Sequence, residues 1–385
     1  MKKASVLLTV SILTLVFTAI MCRNNHEPQA HPGCNFYYWK TRPEFTKEDK
    51  ALADSLGMKR LYMRYFDVDW SPTLEMPVPI GPADFGEDFR NYDTNEPLRL
   101  VDYQVVPTIF ILNRVFEKDF NPDSLAAKIS KKILEKNQML SFGLRTWSRD
   151  YANAETSVDW EQPDSLQPEY QFRQRITEIQ LDCDWTNSTR DRYFQFLKAM
   201  KKANPGMTIS CTVRLHQFRD GEKAGIPPVD RGTLMCYNVA PPKDQNVKDA
   251  IFDQDLVLGY LKNGDYPLPL EAALPLFSWG ALFHENQFKG LASGLSESDV
   301  KGNPLFSPVS EGKYRFMQDT VFAEVYMREG DMVRLDEPSP AEIGKIVERL
   351  AQIKAVKNIS FFDWNPSKIR EYHVDEICKK FEAAR

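Results

Sequence analysis

The chain has 385 residues, 49 basic and 54 acidic, for a formal net charge of -5, with 42% hydrophobic and 12% aromatic content. This is the composition of a folded globular protein, which excludes disorder or a low-complexity fibre for the bulk of the chain; the absence of a basic field argues against a polyanionic partner, and so against nucleic acid. The length admits one large domain or two ordinary ones, and α/β barrels run to about 250 residues or more as a single unit.

Lys2 and Lys3 precede an apolar run over residues 4–21 that ends at Cys22, and a polar stretch over 23–29 follows. That order predicts a secretory signal, and the run is somewhat short for a membrane span. It also resembles a bacterial lipoprotein signal, in which Cys22 becomes the lipidated N-terminus, although Ala19-Ile20-Met21 lacks the small residue usual before that cysteine. The expected organisation is a signal peptide over 1–21, a polar tether over 22–34 and one folded unit over 35–385. Cys34, Cys183, Cys211, Cys236 and Cys378 form no CxxC or Cys/His ligand pattern, which argues against zinc; they are read as small hydrophobes under helices. Nothing in the pattern calls for a metal or a cofactor.

Downstream, strand and helix signals alternate. An aromatic strand over 35–39 is followed by a helix that Thr46 and Asp49 begin and Gly57 stops. A strand over 60–68 leads into a polar, proline-rich connection over 71–97, too long for a plain turn. The apolar run 105–112 suits a strand buried on both faces, and Asp123 then opens a helix carrying Leu125, Ile129 and Ile133. The fourth strand, 178–184, leads into a helix with Tyr193, Phe194, Leu197 and Met200 on one stripe. Strands over 207–215 and 232–239, a helical segment around 255–261 and a strand within 270–282 come next. Ser339, Pro340 and Glu342 make a capping box for a helix with Ile343, Ile346, Val347, Leu350 and Ile353, and 359–363 is the eighth strand.

Strands separated by helices or long connections pair in parallel. The predicted fold is therefore α/β, a (β/α)8 TIM-barrel-like single domain; a doubly wound sheet is the alternative, but it has no need of aromatic and acidic residues at nearly every strand end. Residues 284–314 and the strand-like 320–327 exceed a minimal barrel and are expected to decorate its rim.

In such barrels the site forms at the C-terminal strand ends. There stand Trp39; Asp67, Asp69 and Trp70; Asp182, Asp184 and Trp185; Arg214 and His216; Tyr237 and Asn238; Ser278 and Trp279; and Asp363 and Trp364. A period of two puts Gln180, Asp182 and Asp184 on one face and Leu181 and Cys183 on the other. If the polar face points inward, two carboxylates share the mouth, and one acquires a raised pKa. The same acids also suit helix caps or pairing with Arg64 or Arg214. Indole faces with a polar edge suit a ligand with one apolar face and many hydroxyls, which is the character of a sugar.

The run Ile179-Gln180-Leu181-Asp182-Cys183-Asp184-Trp185 resembles the Asp-x-x-Asp-x-Asp-x-Glu strand of chitinase-type glycoside hydrolases, and Leu234-Met235-Cys236-Tyr237-Asn238 resembles their Met-x-Tyr-Asp; the ending in Trp364 is also similar. About twenty residues carry this resemblance, and the overall look is that of a Bacteroidetes-type lipoprotein family with a glycoside-hydrolase-like barrel. It implies a glycan partner and a membrane contact through the N-terminal lipid. The chain departs from the motif at Ile179, in place of its first Asp, and at Thr186, in place of the acid. Thr186 cannot protonate a leaving group, so either another carboxylate does so (Asp67, Asp69, Glu324 or Asp363) or the site binds sugar without cleaving it.

The readings are thus an exported glycosidase, a surface glycan-binding protein and a cell-envelope scaffold. In the first, Asp182 and Asp184 supply carboxylates, His216 and Tyr237 orient the sugar, and Trp39, Trp279 and Trp364 line the subsite with Arg214, Asn238 and Asp363. Mature protein from a bacterial membrane fraction is expected to begin at a lipid-bearing Cys22. N-terminal mass spectrometry finding Met1, or an unmodified chain, sinks that expectation.

Overall fold

The structure is a computed structural model that describes residues 33–42, 44–84, 102–152, 168–262 and 264–385. The expectations for the signal segment, Cys22 and most of the tether fall outside these residues. Eight parallel strands close into a barrel: β1 (Asn35–Tyr38), β2 (Arg60–Ser71), β3 (Gln104–Ile111), β4 (Glu178–Asp182), β5 (Thr208–Arg214), β6 (Arg231–Met235), β7 (Leu270–Pro275) and β8 (Val356–Phe362). Each pairs with the next, and β1 closes the ring by pairing with both β2 and β8, Phe36 lying beside Leu61 and Phe361. The chain is a (β/α)8 barrel with rim additions.

Local signals placed several helices. Thr46 and Asp49 form a reciprocal capping box at Lys47–Ser55, and Ser339 and Glu342 do the same at Pro340–Ala351, where the apolar stripe of Ile343, Ile346, Val347 and Leu350 is fully buried. Two connections differ from the sequence reading. Part of the 71–97 connection, Met76–Ile80, folds back antiparallel on the end of β2. The apolar run 270–282 divides, because β7 ends at Pro275 while Trp279–His284 joins a separate five-stranded antiparallel sheet inserted between β7 and β8. That insertion has its own small core of Leu282, Ala292, Phe306, Phe316 and Val333. Gly280 permits the packing, since a Cβ there would stand 2.5 Å from Leu295 and 2.9 Å from Val333.

Period-two alternation sends Glu178, Gln180 and Asp182 into the barrel and leaves Cys183 and Cys211 against Tyr193 of the helix Arg190–Ala203. On β2 the alternation is interrupted. A register shift between Arg64 and Phe66 is a bulge that turns Phe66 and Val68 toward Leu125 and Ile129 and leaves Asp67 on the same side as Arg64.

The barrel interior is polar at its base. Arg231 donates to Glu178, Arg60 to Glu271 at 3.2 Å and Ser210 to Glu178 at 2.6 Å, while Asn35 donates to Glu271 at 3.1 Å. Above this layer the Tyr37 hydroxyl donates to Gln180 (2.8 Å), whose amide donates to Thr233 (3.0 Å). Paired in this way, a buried ionic layer is tolerated, although Glu271 Oε1 has no hydrogen-bond partner among the described residues; deprived of an ionic partner it is not.

The cysteine reading holds for Cys183, Cys211 and Cys236, which are free and buried, and fails for Cys34 and Cys378, which form a disulfide across 344 residues of sequence. The signal missed was positional: these two lie outside the strands, one just before β1 and one on the last helix, Val374–Ala383. Closing so long a loop restrains the unfolded chain, and losing such a bond typically costs about 2–5 kcal/mol. Thiol titration of denatured, unreduced protein from residue 23 onward is expected to find three thiols, and Cys34→Ser with Cys378→Ser to lower the thermal midpoint. Five titratable thiols overturn the pairing.

Candidate functional site

The mouth of the barrel has two unlike halves. One half, built on β1, β6, β7 and β8, is aromatic: Trp39 lies 6.3 Å from Tyr37 and 5.4 Å from Phe362, and Phe362 contacts Tyr237 (5.4 Å) and Phe277 (5.7 Å), with Trp279 a further 5.5 Å from Phe277. The other half, on β2 to β5, is acidic and arginine-rich. Arg64 grips both oxygens of Asp67 (2.8 and 2.5 Å), Arg114 grips both oxygens of Asp69, and Arg214 stands 2.9 Å from one oxygen of Asp184.

Asp182 is the exception, having no arginine of its own among the described residues. It stands part-buried at the floor of the mouth, and its Oδ1 accepts a 2.7 Å hydrogen bond from Thr212. Burial pushes its pKa up to about 7, against the lowering effect of that hydrogen bond, with the charges of Asp184 and Asp67 adding to the rise and Arg214 opposing it. A carboxyl of this kind carries a proton for much of the time at neutral pH. Asp67, Phe110 and Asp182 are in register on adjacent strands, so the backbones of the two aspartates are two strand spacings of about 4.8 Å apart.

Not every strand-end residue reaches this place. Trp364 is buried in the wall, edge-on to Phe36 at 4.9 Å and donating to Asp49 at 3.0 Å, and does not line the mouth. Asp363 stands with Lys40 and Tyr38, on the outward-facing side of β1, where burial raises its pKa to about 6. Both miss the mouth because Phe362 takes the inward position at the end of β8. Glu324 occupies the exposed turn between Thr320–Phe322 and Val325–Met327 on the insertion. Asp69 reaches the rim, but Arg114 and the Trp70 backbone N–H occupy it. His216 lies exposed on the short helix Leu215–Arg219, where partial desolvation and Arg214 hold its imidazole below its ordinary value. Thr186 is tied into the turn before the next helix, its N–H donating to Thr189 and its hydroxyl bonded to Ser188 at 2.9 Å. Trp185 packs under that helix against Phe194.

Sequence reasoning missed Tyr37, Phe277 and Phe362. Tyr37 was available from the same alternation that exposed Trp39; Phe277 and Phe362 sit where strands end and phase is lost. Among the described residues no group of three or more His, Cys, Asp or Glu converges to hold a metal ion.

No protein-family model matches the sequence, and no curated protein matches it. Among solved structures it is similar to the spore cortex-lytic enzyme SleL of Bacillus megaterium, at 12% identity over 90% of this chain and 73% of that one, TM-score 0.44. It is also similar to the xylanase and alpha-amylase inhibitor protein XAIP-II of Scadoxus multiflorus, at 9% identity over 91% and 98% of the chains, TM-score 0.40. A fungal endo-beta-N-acetylglucosaminidase from glycosyl hydrolase family 18 shares 10% identity over 91% and 98%, TM-score 0.37.

Removing the Thr212 hydroxyl in Thr212→Val, or the Arg214 charge in Arg214→Met, takes away a group that favours the Asp182 carboxylate. Each variant is expected to move the Asp182 titration upward from about 7 in carboxyl carbon-13 spectra; an Asp182 that titrates near 4 in the parent protein contradicts the assigned environment.

Proposed function

We propose that this is an exported, lipid-anchored barrel that engages a glycan at its mouth and hydrolyses it, Asp182 serving as the acid and Asp184 as the second carboxyl group. The observation that carries the reading is the division of the mouth: an aromatic half for the apolar face of a sugar ring, facing a half whose polar groups meet its hydroxyls. Asp67 and Asp69 are each held by an arginine at both oxygens, which ties both oxygens up and stabilises the charged form, making each a poorer base. Among the described residues Asp184 is held at one oxygen only, by Arg214, and it is exposed, so its other oxygen can act on water or on the sugar. Asp182 holds the proton to be given to the leaving group, and Tyr237, enclosed between Phe277 and Phe362, borders the same space. The Cys34–Cys378 bond suits an oxidising compartment, in keeping with export.

A specific observation favours a second reading, binding without cleavage. Thr186, where the resembling hydrolases carry their acid, is locked into a turn by Ser188 and Thr189.

The two readings part in a pH profile of reducing-sugar release. Because the acid must be protonated, turnover is expected to fall as pH rises through about 7. Asp182→Asn should lower it by roughly 10²–10⁴-fold, and Asp184→Asn likewise, with the fold intact. Glycan retention without release in the parent protein, undiminished in Asp182→Asn, decides for binding alone.

A further inference from the structure

An apolar groove lies on the outer wall of the barrel, between the strand Met76–Ile80 and the first half of the helix Pro122–Ala152. It encloses about 260 Å³, with Phe66, Val68, Leu125 and Ile129 beneath it and Pro77 and Pro79 along its strand side. That strand ends the barrel sheet among the described residues, pairing with β2 alone. In its antiparallel register Pro79 lies opposite Val68 and Pro77 opposite Trp70, and the Val68 carbonyl is taken by the Leu112 N–H on the far side. Residues 77 and 79 therefore turn their backbones to the open edge, where prolines bring carbonyls and no N–H. A peptide strand added there could not complete a ladder.

The helix side of the groove is cationic. Lys128, Lys131 and Lys132 line it together with one acid, Glu135. Lys131 and Lys132 stand three and four residues beyond Lys128, the spacing that brings side chains together on a helix, where like charges repel. Glu135 is 4.0 Å from Lys131 and 3.6 Å from Lys132, so one carboxylate serves two ammonium groups, and among the described residues Lys128 has no carboxylate partner. Three lysines against one glutamate leave two positive charges beside an apolar floor. The occupant that meets both halves has an apolar body and an anionic end. Pockets for drug-sized ligands run to roughly 300–1,000 Å³, so this smaller groove has room for one slender chain and not for the two chains of a phospholipid.

We infer that this groove binds a single-chain fatty acid, its chain lying against Phe66, Val68, Leu125 and Ile129 and its carboxylate seated at Lys128 and Lys132. The site is separate from the barrel mouth, because Phe66 and Val68 face outward from β2 while Asp67 faces inward, and it stands whether or not the mouth engages a glycan.

The test titrates the mature chain, by calorimetry and below the micelle concentration of each probe, with saturated fatty acids from hexanoate to dodecanoate, with decanol and decyltrimethylammonium as uncharged and cationic chains of matched length, and with phosphatidylglycerol vesicles. Decanoate is expected to bind at least tenfold more tightly than decanol, and the fatty acids to gain about threefold to fourfold per methylene until the groove is full. Lys128→Gln with Lys132→Gln, both on the helix surface, should bring decanoate down to the affinity of decanol and leave decanol unchanged. Pro79→Trp, at an exposed position opposite Val68, should fill the groove and abolish binding of both, with the thermal midpoint of each variant reporting that the fold is kept. Absence of decanoate binding overturns the proposal, as does decanol or the cationic chain binding as tightly as decanoate. Binding that survives Pro79→Trp in a folded protein places the ligand elsewhere and overturns it too. Association with the vesicles without binding of monomeric decanoate decides for a membrane surface instead.

Discussion

Everything at the mouth depends on closure of the barrel through its shortest strand. Asn35–Tyr38 has four residues, yet it pairs with β2 on one side and β8 on the other, and without it the sheet would have two open edges. Its inward residues are also central to the polar column and to the mouth: Asn35 reaches the ionic base, Tyr37 joins Gln180, and Trp39 rises into the aromatic half. So short a strand has few ladder hydrogen bonds of its own. It is braced by Cys34–Cys378 just before it and by the Trp364 N–H, which donates to the Tyr37 carbonyl at 2.8 Å.

Inside the ring, the choice of polar rather than aliphatic filling has a physical consequence. Arg60, Arg231, Glu178 and Glu271 pair with one another in a layer where both carboxylates are buried, so each depends on the others. Such a layer tolerates little rearrangement, and it fixes the register of β2, β4, β6 and β7 relative to one another. The residues two and four positions further along those strands inherit that register. Asp182 is one of them, four residues beyond Glu178, and its environment at the mouth is set in part by the ionic layer at the base.

The mouth itself is divided by sheet order. Strands β1, β6, β7 and β8 are neighbours in the ring and bring Trp39, Tyr237, Phe277 and Phe362 to the mouth at or just past their ends, while β2 to β5 are neighbours and bring Asp67, Arg114, Asp182 and Arg214 there. An amphipathic opening of this kind offers dispersion contact on one side and directional hydrogen bonds on the other, which is what a hydroxyl-rich ring with an apolar face can use. The arginines serve a second purpose by quenching the field of the rim carboxylates. Asp182, spared that treatment, is the group whose proton affinity lies near neutrality.

The sequence by itself determined the alternation of strands and helices, hence parallel pairing and a barrel, because hydrophobic period and capping residues are local properties. It also determined that Gln180, Asp182 and the cysteines Cys183 and Cys211 face opposite ways, since side-chain direction along an uninterrupted strand follows from a period of two. Only the tertiary structure decided which strand-end residues meet. The bulge after Arg64 turned Asp67 inward, Phe362 took the place at the end of β8 that Asp363 or Trp364 could have held, and an insertion beginning at Trp279 brought that indole beside Phe277. Pairings such as Arg114 with Asp69, Arg334 with Asp336 and Cys34 with Cys378 join residues with no regular spacing between them. They arise from ring closure and loop packing, long-range constraints that leave no periodic trace in the chain.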